Sequence, residues 1–269
     1  MRQLRQSILI LIMTAAAVAV ASCGSAPAGP RPAGQSPVSV PAASQPASAS
    51  ARPSVSATAP ASPSPIVPRV LAPGMAGPDV RQLQLRLAAL KYYPGPADGQ
   101  FGADTLEAVW AFQEVQGITP TGEVGPITRQ ALAHPQSPAV LVPDGGSLRI
   151  EISLSREVLV LYRAGQVALI SHVSTGGGYY YCSPGGGCAY AITPTGDFRT
   201  TAFIPGWVTV PLGEMYNPVF FIDTAYAIHG DTEVPLQPVS HGCVRIPMDI
   251  AQFFHTLVSA PGTPVYIRA

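Results

Sequence analysis

The stretch "PVSHGCVRIP" at 238–247 brings together residue types that can do chemistry on a carbonyl group. Cys243 is a candidate nucleophile, and a thiol attacks as its thiolate, so a neighbouring group must lower its pKa or accept its proton. His241 lies two residues before Cys243, and in an extended segment the two side chains would point to the same face. His229, in "YAIHGD", lies further upstream, at a distance that two strands and a loop can span. The spacing therefore predicts Cys/His chemistry with two candidate bases.

Cys243 also has three structural interpretations: a disulfide partner, a metal ligand and a small buried residue. Cys182 and Cys188 flank the flexible stretch "SPGGG", and in an exported protein we expect a disulfide between them. Cys243 is then left without an obvious partner, which marks it as a candidate reactive thiol. Zinc held by His229, His241 and Cys243 is an alternative, although no C-x-x-C pair or second ligand cluster supports it. The spacing favours Cys/His catalysis over a buried core cysteine.

Two further residues of the stretch have candidate roles beside the thiol. Gly242 permits a close approach of backbone to substrate, so the N–H groups of Gly242 and Cys243 could stabilise a carbonyl oxyanion. Arg245 could pair with Asp249, or bind a substrate carboxylate through its fork of donors. Both interpretations of the arginine are kept.

The N-terminal sequence predicts that the chain is exported from the cytoplasm. Arg2 and Arg5 precede the apolar run "ILILIMTAAAVAVAS", as in a secretory signal, which we assign to residues 1–22. The closing "VASC" resembles the bacterial lipobox. That resemblance implies lipidation of Cys23 and an extracytoplasmic protein anchored to the cell membrane and facing the wall. An ordinary signal cut near Ala21 and an uncleaved anchor are the alternatives, and both also export the chain.

Composition separates a tether from the folded remainder. Residues 23–70 are mostly Ala, Pro, Ser, Gly and Val, too poor in large apolar side chains to offset chain entropy. We expect a disordered tether that holds the folded parts away from the membrane. The formal net charge of zero argues against a general nucleic-acid binder, which needs a basic face.

Residues 71–134 predict a small helical module. Four apolar residues recur at spacings of three and four, as on one helical face: Val80, Leu83, Leu87 and Leu90. "DTLEAVWAFQEVQG" predicts a second helix capped at Gly117, and a short third helix is expected from Ile127 to Leu132. "DGQFGADTLEA" also aligns with "TGEVGPITRQA", which indicates two similar turn-helix units.

The motifs "DG.FG..T..AV..FQ" and "TG.VG..T..AL" resemble the three-helix peptidoglycan-binding module of cell-wall enzymes. The resemblance implies that residues 71–134 bind peptidoglycan, without singling out a contacting side chain. Residues 135–147 are then expected to form a linker.

Residues 148–269 have the period of strands. Leu148, Ile150, Ile152 and Leu154 alternate with polar residues, which predicts a half-buried strand, and "VLVLY" and "VALISHV" flank a hairpin turn. Further strands are expected at "WVTVPL", "PVFFI" and "GTPVYIRA", and one helix at "MDIAQFFHTLVS". "IHG", "SHGCVRIPMD", "VSTG" and "TPTGDF" together resemble the L,D-transpeptidase catalytic domain. The expected fold class is therefore multidomain: a three-helix module followed by a mostly β, β-sandwich-like catalytic domain.

The resemblance implies roles for residues at matching positions. Cys243 is the nucleophile, and His229, rather than His241, accepts and returns protons. The backbone carbonyl of Gly230 orients that imidazole, while His241 and Gly242 belong to the oxyanion region. Residues expected to contact substrate are Ser240, Arg245 and Tyr180. Tyr180 belongs to the insert "GGYYYCSPGGGCAYAI", which is either a braced wall over the site or a surface loop with its own disulfide.

The implied reaction is a two-step acyl transfer on peptidoglycan stem peptides. The thiolate attacks the amide between an L-centre and the terminal D-residue of a tetrapeptide, D-alanine leaves, and an amine of a neighbouring stem resolves the thioester as a 3→3 cross-link. Carbapenem-type β-lactams are expected inhibitors, and neither a cofactor nor a metal is expected. The alternatives are an L,D-carboxypeptidase on the same scaffold and a non-catalytic peptidoglycan-binding lipoprotein.

Overall fold

The structure is a computed structural model that describes residues 68–184 and 186–269. The predicted signal, the lipidation site Cys23 and almost all of the tether lie outside the described residues. Within the described part of the chain, every helix is too short or too polar to span a bilayer.

The N-terminal module contains the three predicted helices, α1 (Pro78–Ala89), α2 (Ala103–Gln116) and α3 (Pro126–Ala133). Proline in the first turn of α1 and α3 suits a position whose N–H needs no helical partner. Gly117 ends α2 in the left-handed region with φ 68°, as the sequence predicts for a glycine cap.

The internal repeat has a physical basis in two buried glutamines. The Gln84 Oε1 of α1 accepts a hydrogen bond from the Gly99 N–H at 2.8 Å, and the Gln113 Oε1 of α2 accepts one from the Gly122 N–H at 3.0 Å. Each glutamine amide also donates to the threonine hydroxyl of the following helix, at 3.1 Å in both units. The same polar clamp therefore fixes both turns.

The remaining described residues form a mostly β domain, as predicted. Its strands are β1 (Arg149–Ser153), β2 (Val158–Arg163), β3 (Gln166–His172), β4 (Tyr180–Cys182), β5 (Cys188–Tyr190), β6 (Gly196–Arg199), β7 (Ala202–Phe203), β8 (Trp207–Val210), β9 (Gly213–Ile222), β10 (Tyr226–Gly230), β11 (Val244–Ile246) and β12 (Pro264–Arg268). Helix α4 (Met248–Leu257) lies between the last two strands.

Two mixed sheets and α4 enclose the catalytic-domain core. One sheet has the order β3-β2-β1-β12-β6, and the other has the order β11-β10-β9-β7 with β8 on β9. Strands β10 and β11 are parallel, with His229 opposite Arg245, so the two predicted functional motifs lie side by side. Buried residues of both sheets and of α4 meet in one cluster, among them Ile152, Ile228 and Phe254.

Strand β1 is buried along its whole length, so the predicted half-buried strand is wrong. Its polar face is covered because the preceding segment folds over it, and the Leu141 N–H donates to Glu151 Oε2 at 2.8 Å. Arg149 pairs with Glu151 at 2.6 Å and lies over the ring of Tyr162, so both charges are compensated.

The helical module and the catalytic domain share a hydrophobic core. The outer faces of β2 and β3 contribute Val158, Val160, Tyr162 and Ile170 to the cluster formed by the three helices. The Ile170 N–H also donates to the Lys91 carbonyl at 2.9 Å. Strand β2 is therefore covered on both faces, by the helical module on one side and by the catalytic-domain core on the other.

Candidate functional site

Three of the predicted catalytic residues, His229, His241 and Cys243, line a cleft of about 540 Å³ in the catalytic domain. Its walls come from the β4–β5 hairpin, the β8–β9 turn, the β9–β10 turn and the segment that leads into β11. Residues of opposite charge and several aromatic rings face this space: Tyr181, Glu214, Tyr226, Asp231 and Arg245. The cleft can therefore hold a peptide with both apolar and charged groups.

Cys243 lies in this cleft, in the bend directly before β11, and is partly buried. Its side chain packs against the cluster of Met215, Phe220 and Ala227, and its Sγ lies 4.0 Å from the Ala225 carbonyl oxygen. Burial raises the pKa of the Cys243 thiol, against the smaller opposite effects of the Ala227 backbone and the Arg245 charge. The thiol therefore needs a base to take its proton.

His229 of β10 lines the same cleft and is suited to that role. Its Nδ1 lies 2.9 Å from the Gly230 carbonyl oxygen, which can only accept, so Nδ1 carries the proton and Nε2 is left as an acceptor. Burial lowers the pKa of His229, and the bond to Gly230 opposes this effect. The imidazole is therefore neutral near pH 7 and able to accept a proton.

The turn before Cys243 is fixed by hydroxyl groups. The Gly242 N–H donates to Ser240 Oγ at 3.0 Å, the Ser240 hydroxyl donates to the Cys243 carbonyl at 2.6 Å, and the Thr193 hydroxyl donates to the Gly242 carbonyl at 2.8 Å. The Gly242 N–H, predicted to belong to the oxyanion region, is therefore bonded to Ser240 in this structure. Among residues 68–184 and 186–269 the Cys243 N–H has no hydrogen-bond partner, and it is the donor left for an oxyanion.

Arg245 points into the cleft and pairs with Asp231, Nε to Oδ2 at 3.1 Å. The predicted alternative pairing with Asp249 is wrong, because α4 begins at Met248 and carries Asp249 to Asp104 and Glu107 of the helical module. Burial raises the pKa of Asp249 and of Glu107 to about 7.

These three carboxylates are the one group in the described part of the chain whose ligand atoms have metal-site spacing, within 4.8 Å. They lie outside the cleft. The zinc alternative built on His229, His241 and Cys243 is not supported, because His229 Nδ1 is already bonded to the Gly230 carbonyl and the three residues do not form such a group.

The tyrosine-rich insert forms a short hairpin, β4–β5, in which a disulfide joins Cys182 to Cys188. The Tyr181 ring lies edge-on to His241, with centroids 4.6 Å apart, and lines the cleft. Tyr180 does not line the cleft, since neighbouring strand residues face opposite ways, and it is 60% exposed. Tyr181, rather than the predicted Tyr180, is therefore the tyrosine of this hairpin that faces the cleft.

Comparison with known proteins agrees with this arrangement. The family model of the L,D-transpeptidase catalytic domain matches residues 147–267, and that of a putative peptidoglycan-binding domain matches residues 76–132. A crystal structure of an L,D-transpeptidase from Xylanimonas cellulosilytica is 34% identical and covers 76% of this chain and all of its own, with a TM-score of 0.70. This chain belongs to the L,D-transpeptidase family.

Two curated relatives match shorter segments. The N-acetylmuramoyl-L-alanine amidase CwlM of Mycobacterium tuberculosis is 41% identical over 56 residues, which is 21% of this chain. An uncharacterized protein of Kitasatospora aureofaciens is 43% identical over 63 residues, which is 23% of this chain. This L,D-transpeptidase family member spans 14% and 53% of the lengths of these two proteins.

Substituting Gly242 with alanine is expected to lower kcat/KM by about tenfold to a hundredfold, the equivalent of about 1–3 kcal/mol of local strain. Gly242 has φ 139°, and an added Cβ would lie 2.6 Å from Tyr226 Cε1 and 2.8 Å from the Ile192 carbonyl oxygen. The turn would have to move, and Cys243 with it. Steady-state kinetics measure the effect. Gly262→Ala is the control, since Gly262 has φ 123° and open space around it. Equal losses in both variants would contradict the positional argument.

Removing the disulfide is expected to raise KM for a stem peptide about threefold to tenfold. The two three-residue strands of the hairpin are marginally stable alone, and a small disulfide ring adds about 2 kcal/mol. Without it, Tyr181 is held less firmly in the cleft wall. The measurement compares the Cys182→Ser/Cys188→Ser double variant with the wild type, and reductant on the wild type should reproduce the shift. An unchanged KM would assign the insert to the surface-loop alternative.

Several cleft residues escape sequence reasoning. Asp231 directly follows the "IHG" motif, and that adjacency was an available signal. Glu214 lies at the start of β9 and Tyr226 at the start of β10, and nothing in their local sequence marks them. Their placement depends on strand pairing, which brings both ends of β9 toward the same space.

Proposed function

We propose that this protein is a cell-wall L,D-transpeptidase that forms 3→3 peptidoglycan cross-links through a cysteine thioester. The observation that carries the proposal is the pairing in one cleft of a partly buried thiol with a neutral histidine. The Gly230 carbonyl holds the histidine with Nε2 free. This arrangement suits acyl transfer because the base can take the thiol proton as the sulfur attacks.

In the first step, His229 Nε2 accepts the Cys243 thiol proton as Sγ bonds to the carbonyl carbon of the tetrapeptide's last amide. The Cys243 N–H supports the oxyanion. His229 then gives the proton to the amide nitrogen, the C–N bond breaks, and D-alanine leaves. A thioester between Cys243 and the stem peptide remains.

In the second step, an amine of a neighbouring stem attacks the thioester carbonyl. His229 takes a proton from the attacking nitrogen, the C–S bond breaks, and the sulfur recovers the proton. Arg245 carries a fork of donors into the cleft and Glu214 carries an acid, so the proposed contacts are one substrate carboxylate and the incoming amine. Asp231 already neutralises part of the Arg245 charge, so the proposed bond of Arg245 to a substrate carboxylate is of moderate strength.

We also propose the setting in which this chemistry takes place. A lipid on Cys23 would anchor the chain outside the cytoplasm, and the helical module would bind peptidoglycan near the site. Carbapenem-type β-lactams would inhibit the enzyme, because their strained amide can acylate the same thiol.

The test is incubation of the purified protein with tetrapeptide muropeptides, followed by mass analysis of the products. A cross-linked dimer with released D-alanine is the expected result. Tripeptide alone would favour the carboxypeptidase. No turnover together with no carbapenem adduct on Cys243 would favour the non-catalytic binding protein.

A further inference from the structure

His172, the last residue of β3, joins the helical module to the segment that carries Cys243. Its side chain is fully buried, and Nδ1 lies 2.9 and 3.1 Å from the two carboxylate oxygens of Glu114 in α2. Nε2 lies 3.2 Å from the carbonyl oxygen of Pro235, which belongs to the loop between β10 and β11. A single imidazole therefore contacts both parts of the protein.

The two partners determine which ring atoms of His172 carry protons. A carbonyl oxygen only accepts, so the contact to Pro235 requires a proton on Nε2. A carboxylate facing Nδ1 keeps a second proton between Glu114 and the ring, and it raises the pKa of His172 against the opposite effect of burial. The Pro235 carbonyl keeps a proton on Nε2 with or without Glu114, so the carboxylate adds the second proton and an anchor at Nδ1. Without Glu114 the ring is neutral, its bond to Pro235 is no longer charge-assisted, and the ring is held at one end only.

The part of this loop from Pro235 to Cys243 is held along its length by hydrogen bonds to the residues that follow His172. The Ser174 hydroxyl donates to the Gln237 carbonyl at 2.9 Å and accepts from the Val239 N–H at 3.2 Å. The Ser240 N–H then donates to the Thr175 carbonyl at 2.9 Å. The hydroxyl-fixed turn with Gly242 and Cys243 follows directly, so a shift at Pro235 is passed toward the thiol.

We infer that Glu114 of the helical module is a positioning residue for the cysteine loop and acts by anchoring the His172 ring at Nδ1 while Nε2 bonds to Pro235. The helical module thereby has a role in the chemistry of the cleft in addition to any binding of the wall. Only the kinetic test of this inference rests on the proposed function.

The experiment compares Glu114→Leu with Glu114→Gln in the full chain. Leucine has a similar size and leaves Nδ1 without a partner, so kcat for cross-linking should fall about tenfold to a hundredfold with KM within about twofold. A glutamine amide can still bond Nδ1 and keep the proton on Nε2, so Glu114→Gln should retain kcat within about threefold. Tyr93→Ala is the matched control, because Tyr93 contacts Phe253 across the same interface without touching the loop.

A spectroscopic readout separates this inference from the proposed function, because it requires no turnover. The ¹⁵N resonances of the His172 ring should show both nitrogens protonated in the wild type near pH 7 and an unprotonated Nδ1 in Glu114→Leu. Backbone amides of 236–243 should shift in Glu114→Leu but not in Tyr93→Ala. An unprotonated Nδ1 in the wild type, unshifted loop amides, or equal kcat losses in Glu114→Leu and Tyr93→Ala would overturn the inference. If the wild type makes no cross-link, the proposed function fails, and the ring and amide spectra still decide the role of Glu114.

Discussion

Replacing Cys243 with serine is expected to lower cross-linking by at least about a thousandfold, because a neutral hydroxyl is a far weaker nucleophile than a thiol with a neighbouring base. The measurement is release of D-alanine from tetrapeptide stems, together with mass detection of the acyl-enzyme. The variant should show neither a thioester nor a carbapenem adduct.

The same substitution should leave the fold intact, since serine is close in size to cysteine and the hydrogen bond of the Cys243 Sγ is weak, at 4.0 Å. The thermal midpoint of Cys243→Ser is therefore expected close to that of the wild type. A variant that retains turnover would contradict the nucleophile assignment. A variant that loses turnover and also unfolds would call for Cys243→Ala as the matched replacement.

Replacing His229 with glutamine is expected to lower kcat/KM by about a hundredfold to ten-thousandfold, the usual contribution of a general base. The wild type should also show an acidic limit set by this imidazole. Protonation of His229 removes the base, so kcat/KM falls as pH drops through its pKa. Burial lowers that pKa, which puts the midpoint below the usual value of about 6.5.

The check is a pH profile of kcat/KM for the wild type and for His241→Gln. His241 is the other histidine of the cleft, and burial also lowers its pKa. Loss of the acidic limit in His229→Gln, and its retention in His241→Gln, is the expected pair of results. The reverse pair would transfer the base role to His241.

Local patterns in the sequence were sufficient for most of the fold. The spacing of Val80, Leu83 and Leu87 predicted the buried face of α1, and the glycine after α2 predicted its end. The burial of β1 could not be predicted in this way. Arg149 and Glu151 look like a solvent-facing pair, and they become buried because a distant backbone segment covers them and supplies donors.

The candidate site was also predictable only where local sequence patterns determine it, and not where long-range pairing does. The pairing of β10 with β11 places His229 and Cys243 in the same cleft. The spacing alone left His229 and His241 as candidate bases, and the family resemblance favoured His229. The sequence offered Asp249 as one possible partner of Arg245, whereas Arg245 lies in a strand and pairs with Asp231. The hydrogen bond from the Gly242 N–H to the Ser240 hydroxyl could not be predicted from the sequence, since it depends on how the turn folds.

The core shared between the helices and the outer face of β2 and β3 makes the two sequence domains a single cooperative folding unit. Val158, Val160, Tyr162 and Ile170 are buried only while the module covers them. A catalytic fragment that begins after residue 135 would expose this apolar face, and such patches promote aggregation. The full chain should therefore unfold in one thermal transition, and the module cannot be exchanged or deleted as an independent part.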